Sequence, residues 1–158
     1  SNAAPADASH YVGFQVKALQ QILRTVMDAA LRGTPVSTSQ YAVLATLRDA
    51  PGASGAAIAA RTFMSPQSLN EAVAGLERRG LVTRAPHPTH GRIVVSGLTP
   101  VGDVALREAD EIVARIEEQM LQGLSQLERE AFAGMLETCR VALSLGLPTE
   151  TGGGMDQG

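Results

Sequence analysis

With 158 residues, 44% of them hydrophobic and 18% charged, the chain is sized for one domain or at most two small ones, far from the compositions that stay disordered. Its single cysteine and the absence of any Cys/His cluster with ligand spacing exclude a disulfide scaffold and a structural zinc module, and no apolar run reaches the roughly 18 residues of a membrane helix. The net charge of −3 conceals an asymmetry: between Arg61 and Arg92, five arginines (Arg61, Arg78, Arg79, Arg84, Arg92) face Glu71 and Glu77, a balance of +3, while the remainder holds eight basic and fourteen acidic residues. Such a dipolar chain is expected to present one face to a polyanion.

Ser1-Asn2-Ala3 reads as the scar of a removed expression tag, and 149–158, with four glycines, as a frayed, disordered tail. No basic stretch leads into an apolar one, which gives the expectation of a cytoplasmic protein. From Ala8 to Leu31, Val12, Val16, Leu19, Leu23, Val26 and Ala30 recur at helical steps, and Gly33 and Pro35 are expected to end that helix, the glycine through a left-handed conformation. Ser37-Thr38-Ser39-Gln40 has capping-box spacing and opens a second helix through Tyr41, Val43, Leu44 and Leu47, stopped by Pro51-Gly52. Ser54 caps a third, short helix reaching about Thr62.

Ser65-Pro66 is the clearest start signal, a capping hydroxyl followed by proline where its missing amide costs nothing. The helix it opens runs from Pro66 to Arg79, with Gly80 beyond it as C-cap glycine. Leu69, Ala72, Val73 and Leu76 stand on one side, expected to face the core; Gln67, Glu71, Ala74 and Arg78 stand opposite, with Ser68 and Asn70 on the flanks. Leu81 to Ala85 and Arg92 to Leu98 then read as a hairpin around His87-Pro88-Thr89-His90-Gly91. Thr99-Pro100 opens a fifth helix (Val104, Ala105, Ala109, Ile112, Val113, Ile116, Met120). Ser125 with Glu128 caps a sixth through Leu127, Ala131, Phe132, Met135, Cys139 and Leu143 to Pro148.

The order ααααββαα, with a polar-faced helix before a hairpin, is that of a winged helix-turn-helix. The ordered set Val36-Ser37-Thr38-Ser39-Gln40-Tyr41-Ala42-Val43-Leu44, Ala59-Ala60-Arg61, Ser65-Pro66-Gln67, Leu76-Glu77-Arg78-Arg79-Gly80-Leu81-Val82-Thr83-Arg84, Gly91-Arg92 and Leu98-Thr99-Pro100-Val101-Gly102 resembles the MarR family of bacterial transcription regulators. Arg61-Thr62-Phe63-Met64-Ser65-Pro66-Gln67-Ser68 is similar to an actinobacterial style of it. The resemblance implies a mainly α fold, with a winged-helix DNA-binding domain over 36–99 between dimerisation helices over 4–35 and 100–148. It also implies an obligate homodimer acting as a repressor, released from DNA by a small-molecule effector.

On this reading Gln67 pairs with adenine, Asn70 does so from the flank, Glu71 accepts from cytosine and Ala74 meets a thymine methyl. Arg78 meets a phosphate or a guanine, Ser65 and Ser68 donate to phosphate, and Arg84 joins the contact surface. Arg92 matches the family's wing arginine, expected in the minor groove. The family usually places an aspartate two residues before it, whereas this chain has His90, which adds positive charge below about pH 6.5 and is expected to raise DNA affinity there. Two symmetric heads call for an inverted repeat with half-sites roughly 10 bp apart. His10, Tyr11, Phe14 and Tyr41 are the candidates to line a pocket for a small aromatic effector.

Nothing indicates an enzyme, a cofactor or a metal site: there is no phosphate-cradling loop, no nucleophile elbow and no paired carboxylates in an apolar setting, and His87 with His90 reads as turn chemistry. Two other readings stay open. The first is a winged-helix interaction module without DNA affinity, favoured by the net charge and Glu71. The second is a redox sensor built on Cys139, against which Cys139 is expected to be a buried, inert thiol on the apolar face of the last helix.

Overall fold

The structure, a computed structural model, describes residues 8–86, 89 and 94–146. A short 3-10 turn, Ala8–His10, precedes α1 (Val12–Leu31), α2 (Thr38–Asp49), α3 (Gly55–Thr62), α4 (Pro66–Arg78), β1 (Val82–Pro86), β2 (Val94–Leu98), α5 (Pro100–Leu121) and α6 (Gln126–Leu145). The architecture is the expected mainly α winged-helix arrangement, with β1 and β2 forming a two-stranded antiparallel sheet in which Val82 pairs with Leu98 and Arg84 with Ser96.

The helix starts follow the local chemistry read from the sequence. Ser37 and Ser125 each form a complete capping box, with Gln40 and Glu128 respectively, while Ser54 accepts from the Ala57 amide. The first segment differs from expectation: Tyr11 is extended (φ −74°, ψ 134°), so the helix begins at Val12 rather than running unbroken from Ala8. At its other end Gly33 does not take the left-handed role. Positive φ among described glycines is confined to Gly52 and Gly80, and the Leu31 carbonyl instead accepts from both the amide and the hydroxyl of Thr34.

Packing divides the chain into two units, one up to Glu117 and one from Glu118 onward, so the division falls inside α5. In the first unit, one core gathers Met27 and Leu31 of α1, Val43, Leu44 and Leu47 of α2, Ile58 of α3, and Leu69, Ala72, Val73 and Leu76 of α4. Val36, Leu81, Val82 and the α5 residues Ala105, Leu106, Ala109 and Ile116 complete it. In the second unit α6 has no buried residue, and a bidentate pair from Arg129 to Glu118 (2.6 and 2.8 Å) ties the end of α5 to the start of α6. Cys139 therefore departs from expectation: it is exposed, because nothing among the described residues buries the apolar face on which it stands.

The junction from α4 into the hairpin fixes where the polar-faced helix ends. Gly80 (φ +69°) follows the C-cap Arg79, with the Gly80 amide donating to Glu77 O and the Leu81 amide to Leu76 O (2.9 Å each), the two bonds of a Schellman motif. Thr99 then staples this corner to α5: its hydroxyl donates to Gly80 O (2.7 Å) and accepts from the Gly102 amide (2.9 Å).

Candidate nucleic-acid interface

The polar face of α4 is built by burying the other one. Leu69, Ala72, Val73, Gly75 and Leu76 are buried, and against that anchored side Gln67, Ser68, Asn70, Glu71 and Arg78 stand exposed, with Ala74 half-buried among them. Gly75 lets α4 close on α2, since a Cβ there would lie 2.5 Å from the Gln40 amide nitrogen. The same Gln40 side chain accepts from the Ser37 amide (3.0 Å), so the cap of α2 and the seating of α4 share one residue.

At the start of α4, Ser65 Oγ accepts from the Ser68 amide (3.1 Å) and donates to Ser68 Oγ (2.9 Å), which commits the Ser65 hydroxyl to the cap, while Ser68 is exposed. Gln67 Nε2 stands 3.5 Å from Glu71 Oε1, a long contact between two groups of complementary hydrogen-bonding character on the same face. Charge is unevenly available. Arg84 of β1 is held by Glu77 at 3.6 Å, and the Arg79 guanidinium donates to the Pro35 carbonyl, while Arg78 has no ion pair among the described residues. His90 and Arg92, the expected wing residues, lie outside the described residues, as does His87.

Below α4 the polar chemistry is different. Tyr41 of α2 donates its hydroxyl to Asp110 Oδ1 (2.9 Å), and Asp110 Oδ2 accepts from Arg48 (2.5 Å), a bridge between α2 and α5. Burial, then the hydrogen bond to Asp110, pushes the Tyr41 phenol up to about 12. A concavity of about 360 Å³ opens between α1, α2, the α3–α4 turn and α5, with Leu23, Met27 and Val113 on its apolar side and Arg24, Thr38 and Glu117 among its polar groups. Phe63 and Met64 form part of its wall. A second one, of about 460 Å³, is lined by residues that include Asp28, Arg32 and Arg79. None of His10, Tyr11, Phe14 and Tyr41 lines either; His10, Tyr11 and Phe14 are exposed around the start of α1, and Tyr41 is engaged by Asp110.

Residues 34–93, which contain α2, α3, α4 and β1, match the sequence profile described as MarR family. The HosA transcriptional regulator of Escherichia coli is 34% identical over 93 residues, covering 59% of this chain and 69% of its own length. The chain belongs to the MarR family. Rv2887 of Mycobacterium tuberculosis, described as an HTH-type transcriptional repressor, is 27% identical over 126 residues, covering 80% of this chain and 91% of its own. Its complex with p-aminosalicylic acid matches with a TM-score of 0.68 at 25% identity over 82% of this chain and 98% of that one. The PcaV regulator of Streptomyces coelicolor in complex with its natural ligand gives a TM-score of 0.75 at 26% identity, over 89% and 99% of the two chains. Membership makes this MarR protein a DNA-binding transcription regulator, and its relatives are regulators rather than enzymes. No helix among the described residues is long and apolar enough to cross a membrane.

Proposed function

We propose that the chain is a homodimeric, sequence-specific repressor that places one α4 per protomer in successive major grooves of an inverted-repeat operator and leaves DNA when a small molecule binds. The observation that carries this reading is the two-sidedness of α4: an anchored apolar face and, opposite it, an exposed row with the hydrogen-bonding repertoire of base edges. Gln67 and Asn70 suit adenine, Glu71 the cytosine amino group and Ala74 a thymine methyl, while Arg78 and Ser68 serve the backbone. Ser65 acts through the cap that fixes the first turn. Arg84 and the wing pair His90 and Arg92 complete the contact surface of this reading.

The case for a dimer rests on uncovered apolar area. Along α1, Val12, Phe14, Val16 and Ile22 are exposed, and along α6 so are Leu127, Met135, Leu143 and Leu145. Surfaces of that kind mark association sites, and a two-fold pair of such chains presents two reading helices to a palindrome. In this reading residues 4–35 and 100–148 dimerise and 36–99 reads DNA, with His10, Tyr11 and Phe14 on the face that meets the second copy.

For the effector, the concavity by Arg24 is the favoured seat. Arg24 is only loosely paired, 3.9 Å from Asp28, whose other oxygen already accepts from Thr38 (2.6 Å), so its guanidinium is available to a carboxylate. An apolar wall and Glu117 suit an aromatic acid that also carries a hydroxyl or amine donor. The p-aminosalicylic acid complex of Rv2887 supports that class. Selection of duplexes from a random pool tests the reading directly. Enrichment of an inverted repeat with half-sites roughly 10 bp apart is expected, and a pool that shows no enrichment in dilute buffer overturns it.

A further inference from the structure

Phe63 is the one non-glycine residue with positive φ among the described residues (φ 56°, ψ 26°), and it is 83% exposed. Both facts run against ordinary chemistry. A left-handed residue with a Cβ is crowded by its own backbone, so glycine or asparagine usually closes a helix this way. A phenyl ring left in solvent gains no burial to offset that strain. Strain of this kind persists where the surroundings impose it and the position has a use. The ring's setting supplies one. Phe63 lines the concavity between α1, α2 and α5, and two residues later Ser65 caps α4. Met64, between them, shares that wall but is half-buried against the core, so the turn has one side chain packed inward and one left exposed at the concavity.

We propose that Phe63 is the positioning residue through which an occupant of this concavity sets the pose of α4; this rests on the effector reading above. The occupant is an aromatic acid whose carboxylate meets Arg24 and whose ring covers the Phe63 phenyl. Covering the ring buries apolar surface that the free chain leaves wet. That gain favours whichever turn conformation brings the ring down, and because the turn ends at the Ser65 cap, α4 shifts with it.

The test compares wild type with Phe63→Gly, Phe63→Asn and Phe63→Tyr, using p-aminosalicylic acid as the probe. Gly and Asn keep the left-handed turn without the ring; Tyr keeps the ring. Operator affinity is measured with and without the probe, probe binding by calorimetry, and folding by circular dichroism. In wild type, a saturating probe is expected to weaken operator binding by about tenfold or more. Phe63→Gly and Phe63→Asn are expected to bind operator within about threefold of wild type and to bind the probe more weakly than wild type but measurably, yet to lose its effect on DNA even at saturating probe, while Phe63→Tyr restores it. An undiminished probe effect in both ring-less variants overturns the inference and leaves the effector reading standing, as does loss of operator binding in a folded ring-less variant without probe. A wild-type protein that does not bind the probe, or binds it with no effect on DNA, removes the effector reading and this inference together.

Discussion

Gly102 shows how tightly a single residue can be specified. A Cβ at that position would lie 1.9 Å from the Leu81 carbonyl oxygen, a backbone atom that cannot swing aside. The corner that Gly80, Leu81 and Thr99 form can accept Ala only by opening, and overpacking of this kind costs about 1–3 kcal/mol. Gly102→Ala should therefore lower the urea midpoint while leaving the slope of the transition unchanged. Tyr41 offers a second test on the same scale. Its phenol is raised to about 12 from 10.0 because burial and the Asp110 carboxylate both oppose the phenolate. The folded state thus holds this proton longer than the unfolded chain does. The stability it contributes is complete below pH 10 and is lost as pH rises through about 12. Stability measured across that window should fall in wild type, and Tyr41→Phe should remove the part of the slope due to this group. A wild-type tyrosinate absorbance titration with no step delayed towards pH 12 that Tyr41→Phe removes would contradict the assignment.

The elements of this chain were legible to different depths, and the difference is one of range. Ser37, Ser54, Ser65 and Ser125 announce helix starts because the hydrogen bonds of a cap run to amides only three residues away, and each forms as its spacing indicates. The buried face of α4 was equally readable, since helical periodicity and burial agree there. Along α1 and α6 the same periodicity marks apolar faces but carries no information on what covers them; the described residues leave much of both faces open, which is why Cys139 is exposed. Leu106 was missed in α5 although it is fully buried, because it lies beside the expected stripe and is covered by the winged-helix core. No sequence signal announces the left-handed Phe63, where glycine is the usual residue, and the pairing of Arg84 with Glu77 depends on the fold rather than on neighbours in the chain. For α4 the separation of buried scaffold from proposed reading surface gives paired expectations. Ser65→Ala removes the cap and should cost about 1 kcal/mol in stability, read from chemical denaturation. Gln67→Ala, at an exposed position, should leave stability within about 0.5 kcal/mol of wild type while relaxing base preference at one position of each half-site. An unchanged preference profile would take Gln67 out of the reading set.

At the scale of the whole molecule the question is how an acidic chain, with net charge −3, holds a polyanion. Total charge is a poor guide, because phosphate binding depends on which cations are free to displace counterions at the contact face. The arginines of the proposed contact face are not equivalent: Arg84 is held by Glu77 at 3.6 Å and Arg79 is turned to the Pro35 carbonyl, whereas Arg78 has no ion pair among the described residues. An arginine already balanced by a carboxylate releases fewer counterions on binding than a free one, so the two should contribute differently to salt dependence. Each phosphate neutralised adds about −0.9 to the slope of log affinity against log salt, so the proposed dimer, losing one contact per protomer, should lose about 1.8. Arg78→Ala should flatten the slope by about that amount and weaken all operator sequences alike. Arg84→Ala should flatten it less, and Glu77→Gln, by releasing Arg84, should steepen it and tighten binding at low salt. These three slopes, measured on one operator duplex, test whether the network around β1 and α4 tunes DNA affinity. Equal flattening by both alanine variants, with no change from Glu77→Gln, would show that the ion pair opens freely on DNA and that its geometry in the free protein carries no weight in binding.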